Sequence, residues 1–148
     1  MRKYFVLLIA IPIFLGCSTN NFNNNNPYIP NYNFTIEIDM NLTTNSNLLY
    51  VSNAIYYPYG ARPIFIFNTG SGYNAFDAAC PNKAGSNCST LYFKKLDPVD
   101  PLKIDYTHLV CPCDGAEYFL FTGQCPGKKY PLKQYRVEVI GNLLRVYN

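Results

Sequence analysis

From about residue 34 to the end of the chain, apolar residues come in short runs that polar or turn-forming residues separate. Each run has the length of a β-strand, and no window shows a long apolar stripe with the period of a helix. The runs are residues 34–38, 48–51, 54–57, 64–67, 73–76, 91–93, 109–110, 118–121, 135–140 and 143–147. This pattern predicts an all-β domain, either an antiparallel sandwich or an open barrel.

The last two runs are joined by Gly141-Asn142, a dipeptide that accepts the positive φ angles of a tight turn, so they are predicted to form a β-hairpin. The composition agrees with a β-rich chain, with 14 Tyr and 10 Phe against two Met, and with 11 Pro and nine Gly. A length of 148 residues is enough for one domain with its own core.

The first residues differ from the rest, because Met1-Arg2-Lys3 is basic and residues 4–15 are almost entirely apolar. This order is typical of a secretory signal peptide, which we assign to residues 1–16. An apolar run of about a dozen residues is too short for a transmembrane helix, which needs about 20.

The segment Phe14-Leu15-Gly16-Cys17 resembles the lipobox of bacterial lipoproteins, in which cleavage before the cysteine is coupled to its lipidation. The resemblance implies that the chain is attached to a lipid bilayer through acylated Cys17. The alternative is an ordinary signal peptide with an incidental cysteine. Ser18, with no acidic residue after it, resembles lipoproteins of the outer membrane that face the periplasm.

Residues 17–33 contain Asn23-Asn24-Asn25-Asn26-Pro27 and few apolar side chains, so we expect a tether between the lipid and a domain at residues 34–148. Loss of Arg2 and Lys3 would leave 10 of the 12 basic groups against nine acidic ones. A net charge near +1 argues against nucleic acid as a partner.

Five cysteines follow the predicted tether: Cys80, Cys88, Cys111, Cys113 and Cys125. In an oxidising compartment such as the periplasm, thiols at this density are expected to form disulfides or to bind metal. Pro81 and Pro112 stiffen the two turns that carry most of them. We therefore expect two loops that present sulfur atoms.

Four segments around these cysteines resemble the Rieske iron–sulfur family. They are Ala75-Phe76-Asp77-Ala78-Ala79-Cys80-Pro81, Cys111-Pro112-Cys113-Asp114-Gly115-Ala116-Glu117-Tyr118, Thr122-Gly123 and Pro131-Leu132-Lys133-Gln134-Tyr135-Arg136-Val137. The family pattern is Cys-x-His, a spacer, and then Cys-Pro-x-His-Gly. The resemblance implies a small antiparallel β-domain in which two cysteines and two histidines on two loops hold a [2Fe–2S] cluster.

Cys80 and Cys111 match the cysteine ligands of that pattern, whereas Asn82 and Asp114 stand where the two histidines would be. An amide is a poor ligand for iron, and a carboxylate would lower the reduction potential that imidazoles raise. His108 is the only histidine, so it can supply at most one of the two imidazoles. It falls in a predicted strand, where a partly exposed structural side chain is the expectation.

Rieske proteins of respiratory cytochrome bc complexes have an extra cysteine in each loop, and these two form a disulfide. By that resemblance Cys88 pairs with Cys113, although the spacer before Cys88 is longer here. Without a cluster, Cys80 and Cys111 would face each other closely enough for a second disulfide. Cys125 is then the odd cysteine, either buried or a substitute partner.

Three functional hypotheses follow for these loops. The favoured one is a Rieske-like lipoprotein that has lost its cofactor and has a structural or interaction role, with a periplasmic protein as its partner. The second is an electron carrier with a non-standard [2Fe–2S] cluster on Cys80, Cys88, Cys111 and Cys113, or on two thiolates with Asp114 and an external group. The third is a zinc site on the same four cysteines. No catalytic motif supports an enzyme.

Overall fold

The computed structural model describes residues 25–59, 63–83, 85 and 88–148. These residues form nine β-strands and one short 3₁₀-helix. The elements are β1 (Thr35–Asp39), η1 (Thr43–Leu49), β2 (Ala54–Tyr57), β3 (Ile64–Asn68), β4 (Tyr73–Asp77), β5 (Tyr92–Lys95), β6 (Ile104–Val110), β7 (Glu117–Phe119), β8 (Gln134–Ile140) and β9 (Leu143–Tyr147).

The strands form two antiparallel sheets, so the predicted all-β class is confirmed. Six strands lie in the order β1-β9-β8-β4-β3-β2, and a second sheet has the order β5-β6-β7. The predicted hairpin joins β8 to β9, with Ile140 paired to Leu143. Gly141 occupies the turn with a φ of 59°, which is the left-handed conformation that such a turn requires.

Strand β3 lies at the centre of the fold, because all five of its residues are buried. Successive side chains of a strand point to opposite faces. Phe65 and Phe67 therefore pack into one apolar cluster with the second sheet, whereas Ile64 and Ile66 pack into another cluster with β1 and β9. Burial on both faces explains why this run is apolar throughout instead of alternating.

The prediction of a strand at residues 48–51 is wrong, since this segment contains the end of helix η1 and the turn after it. The polar residues before it bind the backbone locally: Asn45 donates its amide to the carbonyl of Asp39 at 2.7 Å, and the Ser46 hydroxyl donates to the carbonyl of Thr43 at 2.9 Å. Such bonds compete with strand pairing. Of the four residues in the run, only Leu48 is buried.

Residues 25–33, the described part of the predicted tether, include a stretch that contacts the domain. Ile29 is buried, and the buried Lys133 ammonium donates to the backbone carbonyl of Pro30 at 2.8 Å and to the side-chain oxygen of Asn31 at 2.6 Å. Asn26 donates its amide to the carbonyl of Pro81 at 2.8 Å. This contact places the start of the described chain beside the first cysteine.

The predicted signal peptide and Cys17 lie outside the described residues. Within the part of the chain that the structure describes, no helix is long and apolar enough to cross a membrane.

Candidate functional site

The first cysteine loop, residues 78–91, connects β4 to β5. Its base is a short antiparallel ladder, in which the amide of Cys80 donates to the carbonyl of Ser89 at 2.6 Å and the amide of Leu91 donates to that of Ala78 at 2.7 Å. The buried Asp77 carboxylate supports the entry to the loop. It accepts hydrogen bonds from the amide of Ala79 and from the hydroxyl of Tyr135.

The second cysteine loop, residues 111–116, is a tight turn between β6 and β7. The amide of Gly115 donates to the carbonyl of Cys111, and the amide of Cys111 donates to that of Ala116, both at 2.9 Å. Gly115 has a φ of 68°, which side chains with a Cβ rarely adopt. The short turn brings Cys111 and Cys113 to the edge that faces the first loop.

Two disulfides join the loops, and both pairs are those that the resemblance implies. We call Cys80–Cys111 the inner disulfide, because both of its cysteines are 1% exposed. We call Cys88–Cys113 the outer disulfide, because Cys88 is exposed and Cys113 is half-buried. Their Cα atoms lie 5.7 Å and 5.2 Å apart, within the ordinary range for disulfides.

The sulfur atoms of the two disulfides also lie together. The Sγ atoms of Cys80, Cys111 and Cys113 are all within 4.8 Å of one another. The carbonyl oxygen of Cys88 lies 2.9 Å from Sγ of Cys113 and 3.9 Å from Sγ of Cys80. The loops therefore hold their sulfur atoms in one compact group.

Asn82, at the position that would be the first histidine, is bound to two other parts of the fold. Its amide nitrogen donates to the hydroxyl of Tyr118 at 2.9 Å and to the carbonyl of Tyr130 at 2.7 Å, and its amide oxygen accepts from the backbone N–H of Tyr130 at 3.0 Å. Burial raises the pKa of Tyr118 above its ordinary value, so the phenol is protonated at neutral pH. The side chain links the first loop to β7 and to the segment before β8.

Asp114, at the position of the second histidine, forms an ion pair. The Lys128 ammonium lies 2.7 Å from its Oδ2 and holds the pKa of this carboxyl below its ordinary value. The backbone N–H of Ala116 donates to Oδ1 at 3.2 Å and acts in the same direction. A carboxylate with these partners is ionised at neutral pH.

His108 lies on β6, outside both cysteine loops. Its Nδ1 is 2.8 Å from a carboxylate oxygen of Asp105 and 2.9 Å from the hydroxyl of Thr107, and its ring stacks near Phe119. Burial would raise the pKa of Asp105, but the hydrogen bonds from Thr107 and His108 outweigh it and keep that pKa below its ordinary value. His108 is thus the partly exposed strand residue that the sequence predicts.

Cys125 is half-buried and is the one unpaired cysteine among the described residues. It lies after a turn in which Gly123, with a φ of 70°, approaches the buried ring of Phe76. A Cβ at Gly123 would lie 2.9 Å from that ring, so glycine is required there for packing as well as for conformation.

No family model matches the sequence, and no curated protein matches it. Among solved structures, the fold is similar to that of the plasma membrane Rieske protein PetC3 from Synechocystis PCC 6803. The match has a TM-score of 0.50 at 23% identity and covers 75% of this chain and 97% of that one. The domain has a Rieske-like fold.

Two further matches have lower TM-scores. One is to a chain in the complex of reduced oxygenase and oxidized ferredoxin in carbazole 1,9a-dioxygenase, with a TM-score of 0.47, 16% identity and coverage of 76% and 92%. The other is to the ferredoxin of carbazole 1,9a-dioxygenase from Nocardioides aromaticivorans IC177, with a TM-score of 0.42, 14% identity and coverage of 66% and 86%.

In the loops as folded, the groups at the four positions that match the ligands of a Rieske [2Fe–2S] cluster are bound to other partners. Such a cluster is held by cysteine thiolates and, in Rieske centres, by two imidazoles. Here the sulfurs of Cys80 and Cys111 are bonded to each other, the Asn82 amide is bound to Tyr118 and Tyr130, and the Asp114 carboxylate is paired with Lys128.

The partners of Asn82 and Asp114 were not found from the sequence. Lys128 lies outside the segments that resemble the Rieske family, and Tyr130 stands 48 positions from Asn82 with no motif that links them. Of these partners, only Tyr118 lies in one of those segments. A partly buried polar residue at a ligand position is expected to have a hydrogen-bond partner elsewhere in the fold.

Proposed function

We propose that this chain is a membrane-anchored lipoprotein whose Rieske-like domain has a degenerate cluster site and serves as a disulfide-stabilised structural or interaction module. The observation that carries the proposal is the bonding of Asn82. Its amide group uses both ends in hydrogen bonds to Tyr118 and Tyr130, so the first histidine position contributes to the stability of the loops.

The disulfides support the same proposal. Each disulfide between the loops restricts the unfolded chain, and a typical contribution is about 2–4 kcal/mol. The inner disulfide occupies the two positions that match cluster ligands, and the ion pair of Asp114 with Lys128 joins the second loop to the segment after β7. The two disulfides connect the loops without a cluster.

The membrane anchor is proposed from the sequence. A basic start, a short apolar run and Gly16 before Cys17 support lipidation of Cys17, and Ser18 supports the outer membrane with the domain facing the periplasm. An oxidising compartment is also where structural disulfides form and persist. A periplasmic protein is the proposed partner of the domain.

The alternative function is an electron carrier with a non-standard [2Fe–2S] cluster on cysteine ligands. The observation that favours it is the sulfur group, since the Sγ atoms of Cys80, Cys111 and Cys113 lie within 4.8 Å of one another. Clusters held by four cysteines are common, and Cys88 would be the fourth ligand once the outer disulfide is reduced. A cluster on all four cysteines requires both disulfides to be reduced.

One preparation tests both functions. The full chain is purified from membranes without reductant, and its visible absorption, iron, zinc and free thiols under denaturing conditions are measured. The proposal expects a colourless protein with one reactive thiol, that of Cys125, because Cys17 is blocked by lipid. A coloured protein with two irons would establish the electron carrier, and stoichiometric zinc would establish a zinc site.

The anchor has its own test. A Cys17→Ser variant is expected to lose incorporation of labelled fatty acid and, because cleavage is coupled to lipidation, to keep residues 1–16, whereas a Cys125→Ser variant incorporates the label and is cleaved. If the Cys17→Ser protein still incorporates labelled fatty acid, the lipoprotein assignment is wrong.

A further inference from the structure

The two disulfides differ in their access to solvent. The inner disulfide joins cysteines that are both 1% exposed, whereas the outer disulfide includes the exposed Cys88. A thiol reagent in solution therefore reaches the outer disulfide in the folded protein and does not reach the inner one. Without a route between them, the inner disulfide would be reduced only when the domain opens.

The positions of the sulfur atoms supply such a route. Sγ of Cys113, half of the outer disulfide, lies within 4.8 Å of both sulfurs of the inner disulfide. Disulfides are broken by attack of a thiolate on one of their sulfur atoms. A thiolate formed at Cys113 is therefore already next to its target, and the short second loop keeps it there.

We propose that the outer disulfide relays reducing equivalents from a dithiol in solution to the inner disulfide. The domain would then have thiol–disulfide exchange activity on two coupled disulfides. This inference rests on the part of the proposed function that leaves Cys80 and Cys111 without a cluster. It does not depend on the lipid anchor or on a protein partner.

The first step is attack by one thiolate of the dithiol on Sγ of Cys88. This attack forms a mixed disulfide and releases Cys113 as a thiolate. The second thiol of the dithiol then attacks the mixed disulfide, which leaves the reagent as a cyclic disulfide and Cys88 as a thiol.

In the internal step, the Cys113 thiolate attacks Cys80, whose sulfur lies near the same Cys88 carbonyl. The Cys80–Cys111 bond breaks, a Cys80–Cys113 bond forms, and Cys111 leaves as a thiolate that takes up a proton. One dithiol has then lost two electrons and two protons, and Cys88 and Cys111 carry the two protons as thiols. A second dithiol reduces Cys80–Cys113 in the same way.

The test follows both disulfides in time under native conditions. The full chain carries Cys17→Ser and Cys125→Ser, so that only the four loop cysteines react, and dithiothreitol is the dithiol. Samples are alkylated at intervals, and their disulfides are mapped by mass spectrometry. We expect the outer disulfide to disappear first. The Cys80–Cys113 intermediate should then accumulate as the inner disulfide disappears.

The matched variant also carries Cys88→Ser and Cys113→Ser, which remove the relay. We expect its inner disulfide to be reduced at least tenfold more slowly. Loss of the outer disulfide destabilises the domain, and more frequent opening would make reduction faster. A slower rate is therefore the opposite of what destabilisation alone produces.

Equal or faster reduction in the variant would overturn the relay. The relay would also be overturned if the protein with all four loop cysteines lost its outer disulfide, formed no Cys80–Cys113 intermediate and kept its inner disulfide. This second measurement needs no folded variant. Starting protein with iron and no inner disulfide would instead contradict the proposed function, so the two failures are distinguishable.

Discussion

Replacing Asn82 with alanine should destabilise the domain, although the residues next to it in the sequence do not indicate any of its hydrogen bonds. The substitution removes three hydrogen bonds, at 2.9 Å to the hydroxyl of Tyr118 and at 2.7 Å and 3.0 Å to the backbone of Tyr130. A hydrogen bond contributes about 1 kcal/mol net, and leaving a buried polar group without its partner costs about 1–3 kcal/mol.

These values give an expected loss of about 2 kcal/mol. Tyr118 is 1% exposed, so water does not readily replace the hydrogen bond that its hydroxyl loses when Asn82 is removed. Tyr130 is half-buried, so water can replace part of its two bonds, and we count them only partly. The free energy of unfolding would be measured by urea titration with both disulfides intact.

Two controls separate the network from a general effect. Asn41→Ala changes an exposed asparagine outside the site and should alter the free energy of unfolding by less than about 0.5 kcal/mol. Tyr118→Phe, combined with Asn82→Ala in a double-mutant cycle, should give a coupling energy of about 1 kcal/mol. If Asn82→Ala behaves like Asn41→Ala, or the coupling is zero, the argument that Asn82 stabilises the loops is refuted.

Three further predictions concern other contacts of the loops. Lys128 lowers the pKa of Asp114 in the folded protein. The stability from this pair is therefore fully present above pH 3.8, the ordinary pKa, and is lost as the pH falls through the lower pKa of the folded state. Asp114→Asn should flatten that part of the stability–pH curve. Gly123→Ala should destabilise by about 1–3 kcal/mol more than Gly141→Ala in urea titrations, because only the former meets a buried ring; equal losses would contradict the clash. Lys133→Met should expose residues 26–32 to faster hydrogen exchange while the sheets stay protected; unchanged exchange would show that the ammonium does not hold this segment.

The sequence predicted the class of the fold well, because alternation and turn residues report directly on strands. The hairpin at Gly141 is the clearest example, since its turn conformation and its pairing are both local properties. The prediction of a strand at residues 48–51 was wrong because the apolar pattern did not report on the local hydrogen bonds there. The apolar residues of this segment suggested a strand, but Asn45 and Ser46, just before it, bind the backbone and favour a 3₁₀-helix.

The candidate site and its two disulfides could be predicted from the sequence, but the hydrogen bonds and the ion pair around it could not. Cysteine positions and the missing histidines follow from the motif. The partners of Asn82 and Asp114 do not, because Tyr130 and Lys128 lie outside the motif and reach the loops only through the fold. Contacts between distant segments depend on the register of strands, which a motif does not encode.

The hydrogen bond from Asn26 to the carbonyl of Pro81 has a consequence for where the sulfur atoms stand in the cell. Nine peptide units separate Cys17 from Asn26, and a chain extends by at most about 3.3–3.6 Å per residue, so this connection spans no more than about 32 Å. With Cys17 in the bilayer as proposed, Asn26 stays within that distance of the lipid surface, and Pro81, in the first cysteine loop, lies beside it. The start of this loop is therefore within reach of a partner that is anchored in the same membrane, as well as of one in solution.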